Sequence, residues 1–367
     1  MAVAGPADLA LAYTPGVAGP CQAIAANPDE AYDLTSKWNT VAVITDGSAV
    51  LGLGDIGPLA SLPVMEGKSL LFKRFADIDS FPLALTTRDS GEFIQAVALL
   101  TPSLGGINLE DIAAPRCFEI EKRLQDLCDI PVFHDDQHGT AVIAVAGLLN
   151  ALKLAEKELA AVRIVVSGAG AAGTAVTRFL LSFGARRVVV CDLEGALYRG
   201  RPGANEALES LAGVTNPDNE RGSLAEISRG ADVFIGLSAP GVLTGRMVAQ
   251  MAPRAIVLAL ANPAPEIWPD EARAAGALVV ATGRSDFPNQ FNNCLGFPGL
   301  FRGALDARAR VINEEMKMAA ARALTGLVSD QEIRPDYIIP SVFNPRVVPA
   351  LAAQVAQAAR NTGVARL

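Results

Sequence analysis

Two pairs of adjacent acids and one lysine are the residues of this chain best placed to do chemistry. Val132-Phe-His-Asp-Asp-Gln-His-Gly-Thr140 sets Asp135 and Asp136 between the only two histidines, His134 and His138, and Ile107-Asn-Leu-Glu-Asp111 carries Glu110 and Asp111. Neighbouring carboxylates raise each other's pKa, so a buried pair needs a cation beside it. Oxygen-only ligand sets suit Mg²⁺ or Mn²⁺ better than zinc. Taken alone, the Asp135-Asp136 stretch reads equally as a solvated turn, since Asp, Gly and Thr are ordinary loop and capping residues. The lysine is Lys68, after Gly67 at the start of a helix expected over 63–75. An ammonium is electrostatically misplaced at that end of a helix dipole, which a low-pKa base requires. An exposed lysine tolerates the same position at little cost.

Alternating strands and helices must position these groups. Apolar runs at 41–44, 81–85, 106–112 and 131–133 read as strands, with helices over 90–100 and 115–127. Both acid pairs fall at carboxyl ends of strands, the edge where an open parallel sheet binds ligands. The glycine-dense stretch 50–58 is a turn with close backbone packing or a loop that approaches a ligand. Tyr13 stands beside the Pro15-Gly16 turn, and a packed tyrosine with a bonded hydroxyl is its ordinary reading.

Past a long apolar helix expected over 140–154 and buried between two domains, a β-branched strand runs into Gly168-Ala-Gly-Ala-Ala-Gly173 and an apolar helix. This is the context a dinucleotide fingerprint requires. Gly168 permits the tight turn, Gly170 lets a pyrophosphate approach the backbone between Ala171, Ala172 and the strand, and Gly173 lets helix and strand close. The next strand ends in Asp192, where a ribose-binding carboxylate belongs and argues for NAD; Arg199 and Arg201 could instead meet the 2′-phosphate of NADP. Strands at 232–236, 255–260 and 277–281 end near Ser238, Asn262 and Thr282, and such endings line a nucleotide crevice. Asn292 and Asn293 follow in a loop. Helices are expected over 299–309, 312–327 and 346–360.

A chain of 367 residues exceeds the usual single-core size. The expected fold is α/β in two domains, an N-terminal substrate and metal domain (1–138) and a C-terminal Rossmann-type doubly wound parallel sheet (139–340). A final helix (341–367) then packs back across both. The formal charge is −8 without a basic block, so nucleic acid is not an expected partner. The first residues lack a basic n-region and no apolar run approaches a bilayer span, which points to the cytoplasm and no membrane. Five scattered cysteines without CxxC spacing read as reduced packing thiols.

Taken in order, several motifs resemble those of the malic enzyme family in its short prokaryotic form. They are Tyr13-Thr-Pro-Gly-Val17, Thr45-Asp-Gly-Ser48 with Leu51-Gly-Leu-Gly-Asp55, Glu66-Gly-Lys68, Ile107–Asp111, Phe133–Thr140, Gly168–Gly173, Ala261-Asn-Pro263, and Asn292-Asn293 ahead of Phe297-Pro-Gly299. The resemblance implies oxidative decarboxylation of L-malate to pyruvate and CO₂ with reduction of NAD or NADP, oxaloacetate decarboxylation, and a homodimer. It implies that Glu110, Asp111 and Asp136 ligate Mg²⁺ or Mn²⁺, that Lys68 is the general base held by Asp135, and that Tyr13 is the general acid. Asn262, Asn292 and Asn293 would contact substrate or nicotinamide. The arginine that larger malic enzymes place after Thr-Asp-Gly is absent here, where Ser48-Ala49-Val50 stand, and Tyr13 lies close to the start, as in a short-starting version. Competing expectations are a metal-independent amino-acid dehydrogenase and a non-catalytic dinucleotide sensor.

Overall fold

Two parallel sheets account for the alternation of strands and helices. The computed structural model describes residues 3–367. In the first half, β1 (Thr40–Thr45), β2 (Asp79–Ala84), β3 (Gly106–Leu109) and β4 (Val132–His134) form a parallel sheet in the order β2-β1-β3-β4. In the second, β5 (Arg163–Ser167), β6 (Arg187–Asp192), β7 (Gly195–Ala196), β8 (Val233–Gly236), β9 (Ile256–Ala259) and β10 (Val279–Thr282) pair in the order β10-β9-β8-β5-β6-β7. Every pairing there is parallel except β6 with β7. The fold is α/β, and the second sheet is of the doubly wound Rossmann type. Val41–Ile44 and Ile164–Val166 are wholly buried, which is why central parallel strands read as unbroken apolar runs.

Each sheet reverses its direction of growth beside its central strand. The chain moves from β1 out to β2 and returns on the other side as β3; it moves from β5 out to β6 and returns as β8. The β1/β3 and β5/β8 crevices are therefore switch points, where ligands bind outside the carboxyl ends.

Helix Asp135–Ala155 starts directly on the end of β4, earlier than the expected Thr140. Among the described residues it is the one helix long and apolar enough to cross a bilayer, a length the apolar run alone did not reveal. Most of it is buried, however, against helices Ala171–Ser182 and Glu314–Thr325, as befits a core helix. Helix Phe297–Asp306 returns to the first sheet, with Phe297 and Phe301 edge-on to Phe72 at 4.7 and 5.2 Å between centroids and Phe301 edge-on to Phe133 at 5.7 Å. Each such pair adds about 0.5–1.5 kcal/mol beyond area burial. Helix Val347–Asn361 packs on Phe297–Asp306 and Glu314–Thr325.

A helix, Pro6–Ala12, precedes the Pro15-Gly16 turn. The helix expected from Pro63 begins at Pro58 and runs to Ala76, with Pro63 inside it; Pro58 occupies the first-turn position that suits proline. Lys68 therefore lies in the helix interior, away from the dipole's positive end. Cys117, Cys128, Cys191 and Cys294 are buried and Cys21 is exposed, all as free thiols.

One buried acid pins the start of helix Asp135–Ala155. Glu121, on helix Arg116–Leu127, accepts from His134 N at 2.9 Å, Gln137 Nε2 at 3.1 Å and His138 Nε2 at 3.0 Å. Burial alone would raise its carboxyl, but His138 and then His134 outweigh burial and hold it below the ordinary glutamate range. A carboxyl depressed on folding contributes stability above its unfolded pKa of about 4.3 and loses it as pH falls through the folded value. Glu121→Leu should cost about 3–5 kcal/mol near neutral pH by leaving these donors buried and unpaired. Urea midpoints across an acid pH series should then fall less steeply in the variant than in the natural chain. An unchanged midpoint at neutral pH would show that Glu121 is not the pin.

Candidate active site

The carboxyl edge of the first sheet gathers four acids and one lysine. Glu110 and Asp111 follow β3, Asp135 and Asp136 open the helix after β4, and Lys68 reaches in from the helix between β1 and β2. Carboxylate oxygens of Glu110, Asp111 and Asp136 lie within 4.8 Å of one another. At an effective dielectric near 20, three charges so placed repel by roughly 10 kcal/mol in total, comparable with the whole stability of a domain. The pKa values register this: burial and then Asp136 push Asp111 up to about 7, and burial, opposed by Lys68, leaves Glu110 well above its usual range. Asp111 Oδ2 is buried without a partner, while Asp111 N donates to Asp136 Oδ2 at 2.8 Å. An unpaired buried oxygen among three carboxylates is the donor set that a hard divalent cation satisfies.

Lys68 Nζ lies 2.5 Å from both Glu110 Oε1 and Asp135 Oδ2, and 4.7 Å from the Phe297 ring centroid. Burial alone would lower its pKa; Asp135, Glu110 and then Asp136 reverse that and hold the ammonium well above the ordinary lysine range. The helix-dipole reading of Lys68 is thus replaced by one in which carboxylates set its charge. Asp135, fully buried, also accepts from Asn293 Nδ2 at 3.1 Å. Its Oδ1 lies 1.9 Å from the position a Cβ at Gly139 would occupy, so the motif needs glycine there.

A cleft of about 860 Å³ joins this cluster to the second sheet. Lys68, Glu110, Asp111 and Asp136 share it with Gly170, Ala171, Ala172, Ser238, Asn262, Asn292 and Asn293. Gly168 has φ +115°, and a Cβ on it would meet Leu237 O at 2.3 Å; one on Gly173 would meet Gly168 O at 1.9 Å. Nothing lies within 4 Å of a Cβ at Gly170, which leaves that backbone open to a ligand. The contacts at Gly168 and Gly173 leave no room for a side chain at either position. Ser167 Oγ and Ser238 Oγ, 2.9 Å apart, tie the β5/β8 switch point together.

Some expected groups lie elsewhere. Tyr13 is 67% exposed at the end of helix Pro6–Ala12 and does not line the cleft of its own chain, because that helix buries no residue that would hold it there. Asp192 ends β6 with both carboxylate oxygens on Arg201, so one of the two arginines considered for a 2′-phosphate is already engaged. His134 is fully buried with both ring nitrogens unpartnered, and His138 turns to Glu121. Two acids escaped the sequence reading. Glu121 had a signal, since it shares the apolar face of its helix with Cys117, Ile120 and Leu124. Glu266 had none: it is fully buried and accepts from Ser238 N at 2.9 Å and Ala261 N at 3.0 Å, clamping the ends of β8 and β9.

Comparison with known proteins decides what this arrangement belongs to. Residues 3–91 match the malic enzyme N-terminal domain and residues 137–360 the malic enzyme NAD binding domain. The chain belongs to the malic enzyme family. It is 58% identical over 361 residues to the bifunctional malic/malolactic enzyme of Bacillus subtilis (strain 168), covering 98% of this chain and 88% of that protein. It is 58% identical over 359 residues to the NAD-dependent malic enzyme of Geobacillus stearothermophilus, covering 98% and 75%. The crystal structure of the NAD-dependent malic enzyme from Thermotoga maritima superposes with a TM-score of 0.94 at 48% identity, covering 97% and 94%. Family membership carries NAD(P)-dependent oxidative decarboxylation of malate and sets aside the amino-acid dehydrogenase and the non-catalytic sensor.

The contact at Gly139 is open to test. Alanine normally gains about 1 kcal/mol over glycine inside a helix. Gly139→Ala should instead lose about 1–3 kcal/mol, because the methyl displaces the Asp135 carboxylate from Lys68. A thermal midpoint at or above that of the natural chain, with turnover kept, would contradict the contact.

Proposed function

We propose that this cleft oxidises L-malate and decarboxylates the product, with Glu110, Asp111 and Asp136 as ligands of Mg²⁺ or Mn²⁺ and Lys68 as general base. The observation that carries the proposal is the Lys68 ammonium, held by Asp135 and Glu110 in one cleft with three converging carboxylates and a dinucleotide turn. A bound divalent cation supplies charge stabilisation to oxygens that become negative during the reaction. A cation held by Glu110, Asp111 and Asp136 would compete with Lys68 for the charge of Glu110 and Asp136 and so favour the neutral amine, with Asp135 orienting it. Once its ammonium proton has passed to solvent, the neutral Lys68 Nζ accepts the C2 hydroxyl proton as hydride leaves C2 for the nicotinamide, which becomes reduced as C2 becomes a ketone. Asn293, bonded to Asp135, keeps that carboxylate in place, and Asn262 and Asn292 line the same cleft, where their amides would contact substrate or nicotinamide.

Pyruvate release requires a proton at C3, and we assign it to Tyr13 of a second copy of the chain. Helices Pro6–Ala12 and Ala18–Ala26 bury no residue against their own chain, and Leu9, Leu11 and Tyr13 are all exposed. Apolar helices left bare in this way call for a partner, and a twofold dimer presents each tyrosine to the other copy.

Lys68→Ala should lower malate-dependent, Mn²⁺-dependent reduction of NAD(P) by about 100- to 10,000-fold while cofactor affinity stays near normal. Unchanged turnover would remove Lys68 from the mechanism. Mixing and refolding equal amounts of Tyr13→Phe and Lys68→Ala chains should recover about a quarter of natural activity, since half the dimers are mixed and each then has one complete site. No recovery beyond the sum of the two variants would place Tyr13 in its own chain's site.

A further inference from the structure

A second cavity, of about 700 Å³, lies behind the same two helix starts that build the cleft. On helix Asp135–Ala155, Asp136 and Thr140 face the cleft, whereas Gln137, His138 and Ala141 line the cavity. On helix Ala171–Ser182, Ala171 and Ala172 face the cleft, whereas Thr174, Ala175 and Arg178 line the cavity. The two spaces are back to back, and a molecule in the cavity touches both the helix that presents the acids and the helix that opens at the dinucleotide turn.

A buried cation connects the cavity to the acids. Lys317 is only 6% exposed, and its Nζ lies 3.2 Å from His138 Nδ1. An ammonium only donates, so His138 accepts at Nδ1 and donates from Nε2 to Glu121 at 3.0 Å. Glu121 also takes His134 N, the residue before Asp135. Three hydrogen bonds thus run from Lys317 to the first turn of the acid-bearing helix.

Charge and polarity define what fits. Phe118 and Phe179 supply apolar wall, and Lys122 and Arg178 lie at the rim without an ion-pair partner among the described residues. Of the cavity's acids, Glu119 is tied to Arg123 at 3.1 Å and Glu314 to Lys317, which leaves Glu206 as the one acid outside an ion pair against two cations outside ion pairs, Lys122 and Arg178, the latter donating to Ser210 Oγ at 2.8 Å. We propose that this cavity is an effector site for a small organic anion, a carboxylate or phosphate on an apolar body. The ligand acts on the cleft through the helix turns the two spaces share.

Benzoate and phenyl phosphate, which share a ring and differ in the anion, are the probes. Calorimetric titration of the full chain should show one of them binding once per chain, and which one binds identifies the anion. Arg178→Ala, at an exposed position outside the cleft, should weaken that binding by about tenfold and leave basal turnover unchanged; Lys122→Ala should weaken it in the same direction. Saturating probe should shift the malate KM or the Mn²⁺ dissociation constant of the natural chain by about fivefold or more, and not that of Arg178→Ala at the same probe concentration. The proposal is overturned if neither probe binds at millimolar concentration or if both variants bind as the natural chain does. Binding without any shift in malate or Mn²⁺ behaviour overturns the effector role. The titration needs neither metal nor malate, so its failure is distinct from failure of the catalytic assignment.

Discussion

Everything at the carboxyl edge of the first sheet depends on one ammonium among four carboxylates. Lys68 touches Asp135 and Glu110 directly, and Asp111 and Asp136 stand next to Glu110 with no further lysine or arginine lining the cleft. One positive charge does not balance four negative ones in a setting this buried, and a buried ion pair repays its desolvation only when its remaining lone pairs are satisfied. Asp111 and Glu110 respond by holding their protons more tightly, and one oxygen each of Asp111 and Asp135 is left without a partner. The cost of this arrangement is concentrated in the cleft, where the three carboxylates and the lysine meet.

The fold tolerates this because its other buried acids are fully employed. Glu121 holds the start of helix Asp135–Ala155 through His134, Gln137 and His138, and Glu266 clamps the ends of β8 and β9 through two backbone N–H groups. Both act as struts, and both sit one layer behind residues that line the cleft. The aromatic contacts of Phe72, Phe133, Phe297 and Phe301 serve the same end: they fasten the returning C-terminal helix to the first sheet and set the Phe297 ring beside Lys68. Asn293, just upstream of that helix, reaches Asp135 as a consequence.

Much of this was legible along the chain. The β1 and β5 runs, the glycines at 168, 170 and 173 and the acids at strand ends are local features, set by which faces are buried and where a Cβ has no room. The separation of duties between Asp135 and Asp136 came only with the malic enzyme resemblance; in the structure Asp135 bonds Lys68 and Asp136 lies with Glu110 and Asp111. Helix starts were less legible. Pro63 read as a beginning although Pro58 already filled that place, and this five-residue displacement turned an interior Lys68 into a terminal one with the wrong electrostatic explanation.

The α/β order, the dinucleotide turn and the identity of the acids and lysine are written locally along the chain, because burial and backbone geometry act over a few residues. Which of these groups meet is set by long-range packing. Lys68 and Asp135 are 67 residues apart and Asn293 and Asp135 are 158 apart, and no local rule says that such groups will touch. The same packing engages Asp192 with Arg201 and leaves Tyr13 two-thirds exposed just past helix Pro6–Ala12. Contacts at that range follow from how two sheets and a returning helix fill space together, a property of the whole chain that no single stretch contains.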